Sequence, residues 1–190
     1  MKRLFFYIVP ALLPLGFFSC DHPAPTTAVT KDSLIKRGAY LVAISGCNDC
    51  HSPKRMGPNG PEVDPEKLLS GHPANVPLPP VDTNAAKAWV QFSMDQTVAV
   101  GPWGTTFAAN LTPDPSGIGE WTPDRFDKAM RQGKFHGIDG TRPILPPMPV
   151  AGTRQLTDSD LQAIYTYLQS IRPVRNTVPE WIPPAGAGKK

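Results

Sequence analysis

Apolar residues recur at helical spacing in three stretches of this chain. In the first, Leu34, Ile35, Leu41, Val42 and Ile44 predict a helix from about Lys31 to Ser45, with Thr30 or Asp32 placed to cap its start. The second is marked more by its boundaries than by its face. Thr122 can cap it, Pro123 takes the first helical position, Trp121 can pack onto Phe126 one turn on, and Gly133 ends it. The third is the best defined: Leu161, Ile164, Tyr165, Leu168 and Ile171 form one stripe, Thr157 and Asp160 make a near capping box, Leu156 can staple to Leu161, and Pro173 is a stop. Between the first two, from Ser52 to about Thr106, Pro and Gly are frequent and periodicity is weak. That stretch predicts an ordered wrapping loop with at most short helices near Pro65 to Leu69 or Asn84 to Trp89. No internal repeat is visible, so a tandem array is not expected.

The N-terminus follows a different pattern. Lys2 and Arg3 precede an apolar run from Leu4 to Phe18 that Pro10, Pro14 and Gly16 interrupt. This is the layout of an export signal, and the run is too short and broken for a transmembrane helix. Phe17-Phe18-Ser19-Cys20 resembles a bacterial lipoprotein cleavage site, with Phe17 where that pattern prefers Leu. An ordinary secretory signal or an uncleaved anchor are the alternatives. The expected organisation is a signal peptide over 1–19, a lipidated Cys20 opening a polar tether over 20–30, a domain over 31–176 and a Pro/Gly-rich tail over 177–190. The domain is then exported and held by lipid on the periplasmic side of a bacterial membrane. His22 falls in the tether and reads as an exposed linker residue.

Composition narrows the class. With 40% hydrophobic and 18% charged residues the chain can build a core. Its 24 prolines, each lacking an amide donor, favour long ordered loops around a few helices over a large sheet. Without the leader, 17 basic residues face 16 acidic ones, which leaves no basic excess for nucleic acid.

The candidate chemistry lies directly after the first helix, in Cys47-Asn48-Asp49-Cys50-His51. This is the spacing of c-type haem attachment: two thiols three residues apart add to the two porphyrin vinyl groups, and the adjacent imidazole meets the iron. A zinc site would want a second ligand pair, which the sequence lacks. A thioredoxin-like pair would want a strand before it and a βαβ pattern around it. CxxC also rarely serves as a structural bridge. With Cys20 lipidated and the pair on haem, every sulfur of the three cysteines is used. For a sixth ligand the candidates are Met56, Met94, Met130 and Met148. Met148 is favoured because Pro146-Pro147-Met148-Pro149 holds a thioether with little entropy left to lose, and Met94 is the competitor. His136 is a weaker alternative, better suited to a surface or propionate-facing place.

These residues resemble the class I cytochromes c, and within them periplasmic cytochromes and cytochrome subunits of membrane-bound dehydrogenases. The resemblance runs through Arg37-Gly38-Ala39-Tyr40-Leu41-Val42, Gly46 to His51, Leu68-Leu69-Ser70-Gly71-His72-Pro73, Phe107 to Asp114, Gly117 to Thr122, Pro147-Met148-Pro149 and Leu156 to Leu161, most of residues 33–176. It implies a mainly α cytochrome c fold: about three main helices around one covalent haem c, with a long Pro/Gly-rich loop insertion. It also implies that Gly38 meets Tyr165 or Tyr167 where the first and last helices cross, and that Asn110 and Trp121 lie near the haem edge. A turn-stabilising Asn and a stapled core Trp are their purely structural alternatives. Many relatives carry several haem motifs and an aromatic after the Met-Pro step, whereas this chain has one motif and Val150 there, with 97 positions from His51 to Met148. The function implied is electron transfer, with no catalysis by the chain itself, to or from a dehydrogenase, an oxidase or another cytochrome. The alternative is a haem enzyme or a gas- or peroxide-binding protein with a labile sixth ligand.

Overall fold

The computed structural model describes residues 28–184. The leader, Cys20 and His22 lie outside the described residues. Helix α1 (Lys31–Ile44) starts at Thr30, whose side chain accepts from the Ser33 amide while Ser33 Oγ returns a contact to the Thr30 amide. Its buried face is Gly38, Leu41 and Val42. Ser45 ends it, and Gly46, at φ +70°, turns the chain straight into the short helix α2 (Cys47–His51). A residue with a Cβ is strained at that φ, so the reversal that aims α2 depends on glycine.

The wrapping loop contains more regular structure than its periodicity suggested. Strands β1 (Lys54–Gly57) and β2 (Gly60–Val63) form an antiparallel hairpin. Further on, β3 (Gln91–Phe92), β4 (Val98–Gly101) and β5 (Gly104–Phe107) make a small antiparallel sheet with β4 in the centre. Short 3₁₀ turns over Pro65–Lys67 and Ala85–Lys87 occupy the two places where helix was expected. Val98 and Val100 bury one face of the sheet with Ala86, Val81 and Phe107 in a satellite core.

Helix α3 (Pro123–Gln132) has Thr122 as its cap, Pro123 in its first turn and left-handed Gly133 at its end. After α4 (Val150–Thr153), helix α5 (Asp158–Leu168) is capped by Thr157 and buries Leu161, Ala163, Ile164 and Leu168. The expected stop at Pro173 comes late, since α5 ends at Leu168 while Ile171 still packs on the core from the turn beyond. The main core joins Leu41 and Val42 of α1, Leu69, Ile118, Phe126 of α3 and the buried face of α5, with Cys47, Trp121, Met130 and Tyr167 at its margin. Residues beyond 176, expected as a tail, carry the packed structure on to Pro184. Ile182 bridges Thr105 on the free edge of β5, and the Trp181 indole donates to the Trp103 carbonyl at 2.9 Å. Among the described residues no helix is long and apolar enough to cross a membrane.

Candidate haem site

Within the single turn of α2, Cys47, Cys50 and His51 stand at i, i+3 and i+4, so two thiols and an imidazole share one face. The cysteines are not bridged to each other, and burial pushes both thiols up, with Lys54 opposing this at Cys50. His51 Nδ1 lies 2.8 Å from the Ala109 carbonyl oxygen. A carbonyl can only accept, so Nδ1 carries the proton and Nε2 is left with its lone pair. Burial also holds the imidazole below its ordinary value, which favours the neutral, ligating form.

The wrapping segment supplies that carbonyl. β5 runs on into residues 108–111, which lie beside 69–72: the His72 amide donates to Ala108 at 2.9 Å and the Leu111 amide to Leu69 at 2.8 Å. The Gly71 amide in turn donates to the His51 carbonyl at 2.8 Å. Lys54 Nζ adds a second clamp on α2, donating to the Asp49 carbonyl and, at 2.7 Å, to the Asp95 carbonyl.

Met148 is half-buried and its loop is fixed on both sides. Thr106 Oγ1 donates to the Pro146 carbonyl at 2.9 Å, the Ile144 amide to Gly133 at 2.7 Å and the Val150 amide to Met148 at 2.9 Å. Met94 and Met56 are 83% and 77% exposed, and Met130 packs on the helical core. Trp121 sits at the core margin, its carbonyl accepting from the Tyr165 hydroxyl at 2.6 Å.

Asn110 is held at both ends of its amide. It is 4% exposed, and its amide donates to the Val174 and Asn176 carbonyls (2.9 and 3.2 Å) while its oxygen accepts from the Thr112 amide and hydroxyl (2.9 and 2.8 Å). With both ends of the amide engaged, it pins the chain after α5 to the wall carrying Ala109. The turn-stabilising role is the one the geometry fits.

Two unbridged thiols and an imidazole with a free Nε2 on one face form a donor set that suits a covalently held haem. Among the described residues no group of three or more His, Cys, Asp or Glu side chains is placed to hold a metal ion by itself. The family model for cytochrome c matches residues 35–172. The chain belongs to the cytochrome c family. It is 32% identical over 148 residues to a nicotinate dehydrogenase subunit of Pseudomonas putida, covering 77% of this chain and 9% of that protein. It is 30% identical to the gluconate 2-dehydrogenase cytochrome c subunit of Pantoea cypripedii, covering 88% and 30%, and 42% identical to the quinone-dependent alcohol dehydrogenase cytochrome c subunit of Komagataeibacter europaeus, covering 75% and 23%. The chain thus spans less than a third of the length of each of these relatives. A cytochrome c domain implies covalent haem c and electron transfer.

Sequence reasoning missed one buried group in this cytochrome. His72 is 2% exposed, its Nδ1 lies 2.7 Å from Thr97 Oγ1, and that hydroxyl reaches the Asp95 carboxylate at 2.9 Å. Burial holds His72 below its ordinary value near 6.5, against the pull of Asp95. Burial would raise Asp95, but hydrogen bonds from Ser93 and Thr97 keep it low. As the pH falls through 6.5 the unfolded chain takes up a proton at position 72 before the folded one does, so stability is lost on acidification. Chemical denaturation between pH 7 and 5 is expected to show this loss, and His72→Gln to flatten it; equal slopes would refute the assignment.

Proposed function

We propose that this cytochrome is a one-electron carrier in which Cys47 and Cys50 hold a single haem c through thioether bonds and His51 and Met148 ligate its iron. The observation that carries the reading is the 2.8 Å bond from His51 Nδ1 to the Ala109 carbonyl, because it aims Nε2 from the same helical face as the two thiols. Bound there, the haem supplies one reversible electron. The chain supplies the rest. Ala109 fixes the imidazole tautomer, the proline-framed loop holds the Met148 thioether, and the helical core keeps water from one side of the site. With His51 and Met148 both as ligands, the same protein groups would hold the iron in both oxidation states and little would rearrange on transfer. Methionine ligation and burial favour a high potential.

The partner we propose is a membrane-bound dehydrogenase, with a terminal oxidase or another cytochrome taking the electron onward. The names of the relatives support this, since each is a subunit of a dehydrogenase. A lipidated Cys20 and the tether after it would hold the domain at the periplasmic face of a membrane and raise its effective concentration near such a partner.

The test is attachment and stoichiometry. Produced in a host that matures c-type cytochromes, the protein is expected to keep its colour through denaturation and acid-acetone extraction. Its pyridine haemochrome should be that of a haem with both vinyl groups saturated, at one per chain. A haem that extracts freely, or two per chain, overturns the reading.

A further inference from the structure

The wall that fixes His51 is closed into a ring of hydrogen bonds. The Ala108 amide donates to the Thr97 carbonyl at 2.8 Å, the His72 amide donates to the Ala108 carbonyl at 2.9 Å, and His72 Nδ1 returns to Thr97 Oγ1 at 2.7 Å. The residues next to this ring on its two strands both bond to His51. The Ala109 carbonyl accepts from the imidazole Nδ1 and the Gly71 amide donates to the His51 carbonyl, each at 2.8 Å. His72 is therefore joined to His51 by two short routes, one through each of two adjoining peptides.

The ring contains one titratable side chain, the His72 imidazole. Asp95, between β3 and β4, supplies the negative charge that reaches it. Lys54 of β1 directs its ammonium to the backbone carbonyls of Asp49 and, at 2.7 Å, Asp95. From the chain after α5, Asn176 faces His72 with a neutral amide, donating to the Ser70 and His72 carbonyls at 2.7 and 2.8 Å, and β5 contributes the Phe107 ring at 5.2 Å. The link from His72 to Asp95 is a hydroxyl, which donates once and can turn. With the imidazole neutral, Thr97 can donate to Nδ1. With it protonated, Nδ1–H donates to Oγ1 and the hydroxyl proton turns to the Asp95 carboxylate, 2.9 Å away. Thr97 alone would satisfy a neutral imidazole; a carboxylate behind it is what a buried charged one requires. His72 is 2% exposed and Asp95 half-buried, so the carboxylate is the end of the chain that meets water.

We propose that His72, with Thr97 and Asp95, is a proton site coupled to the electron carried at His51, so that the cytochrome takes up a proton there on reduction and returns it on oxidation. This rests on haem being held at Cys47, Cys50 and His51. For one electron taken from the donor, one proton from solvent passes along Asp95 and Thr97 to His72 Nδ1, and both leave on reoxidation. The wall holds little water, so a unit change of charge on one side of it is felt more strongly than in bulk solvent. By linkage, the added electron strengthens proton binding at His72 by the same factor as the proton favours reduction.

The haem content of each variant is measured first. Absence of covalent haem in the wild type would sink the carrier reading itself, an outcome distinct from failure of the coupling. In holoprotein, the equilibrium with a reference couple of pH-independent potential is then followed from about pH 8 to about pH 4.5. Acidification is expected to favour the reduced protein about tenfold between two plateaus, which is 59 mV for one electron. The His72 ring signals in NMR should titrate at higher pH in ferrous than in ferric protein. His72→Gln should abolish the tenfold rise. Thr97→Val removes the hydroxyl at nearly constant volume and should move the rise to lower pH, because a protonated imidazole then has no route to Asp95. This second variant decides the matter if His72→Gln does not retain haem. A wild-type equilibrium that does not change with pH overturns the coupling. So does a rise that persists unaltered in both variants, which would place the proton on another group, and so do His72 signals that titrate alike in the two oxidation states.

Discussion

Met148→Ala is expected to turn a protein that does not bind carbon monoxide into one that binds it rapidly. The far-red ferric charge-transfer band that reports a thioether ligand should vanish in the same variant. The reason lies in the loop. Pro146, Pro147 and Pro149 restrict the backbone on either side of Met148, and Thr106 and Gly133 anchor the segment to β5 and to the end of α3. Truncating the side chain therefore leaves the wall standing and removes only the donor, so an external ligand meets an open position. Loss of the thioether should also lower the potential, shifting the redox equilibrium by at least about tenfold toward the ferric form. Met94→Ala, at a side chain 83% exposed, is expected to leave spectrum and potential as they were. A persistent charge-transfer band in Met148→Ala would remove this residue as ligand. Rapid carbon monoxide binding by the wild type would instead favour a protein with a labile distal site.

The three main helices were legible because their signals are local. Thr30, Thr122 and Thr157 each precede a helix and each accept a backbone N–H three residues on, so the start of α1, α3 and α5 could be read within one turn of sequence. The sheet was not legible for equally physical reasons. β4 is four consecutive buried residues, Val98 to Gly101, so it shows none of the alternation that betrays a half-exposed strand. β3 is only two residues long, and the β1–β2 hairpin carries Pro61 on its second strand. Ile171 misled in the other direction: it belongs to the apolar stripe of α5 and packs on the same core, yet lies past the helix end.

At the candidate site, the Cys47, Cys50, His51 face of α2 and the Pro-framed Met148 proposed as ligand stood out in the sequence, because both are written in side chains at short spacing. The group that fixes His51 is a backbone carbonyl at Ala109, 58 positions away, and no side-chain pattern encodes it. The same holds for the His72–Thr97–Asp95 chain, whose members come together only when residues 69–72, 93–98 and 108–111 are folded against one another. Asn110 was noticed for its place in a family-like segment, while its bonds into the wall run to partners more than 60 positions further on. Local chemistry was readable; the acceptors and clamps that orient it depend on the loop closing.

The largest stability effect is expected at Gly38. At this position α1 crosses α5, and a Cβ built there would lie 2.1 Å from the Ala163 carbonyl oxygen and 2.6 Å from Tyr167 Cβ. One contact is backbone and the other the root of a side chain, so neither can swing away, and the helices must separate to admit a methyl group. Overpacking of this kind costs about 1–3 kcal/mol, occasionally more, against a gain of about 1 kcal/mol from replacing glycine by alanine inside a helix. The Arg37–Asp160 ion pair spans the same crossing, but with Arg37 51% exposed it contributes at most about 1 kcal/mol and cannot hold the helices against that strain. With a backbone contact as short as 2.1 Å the cost lies at the upper end of that range, so Gly38→Ala should lose about 2 kcal/mol net in chemical denaturation, and Gly38→Val, with a branched Cβ, should yield little folded holoprotein. The consequence reaches the cofactor, because Leu41 and Val42 on the same face of α1 set where α2 emerges. As the helices part, His51 Nε2 moves relative to the Met148 loop, so the surviving Gly38→Ala holoprotein is expected to show a weakened thioether band as well as lower stability. A Gly38→Ala protein as stable as wild type would mean that the crossing is looser than 2.1 Å allows, and the packing account of α1 on α5 would fail with it.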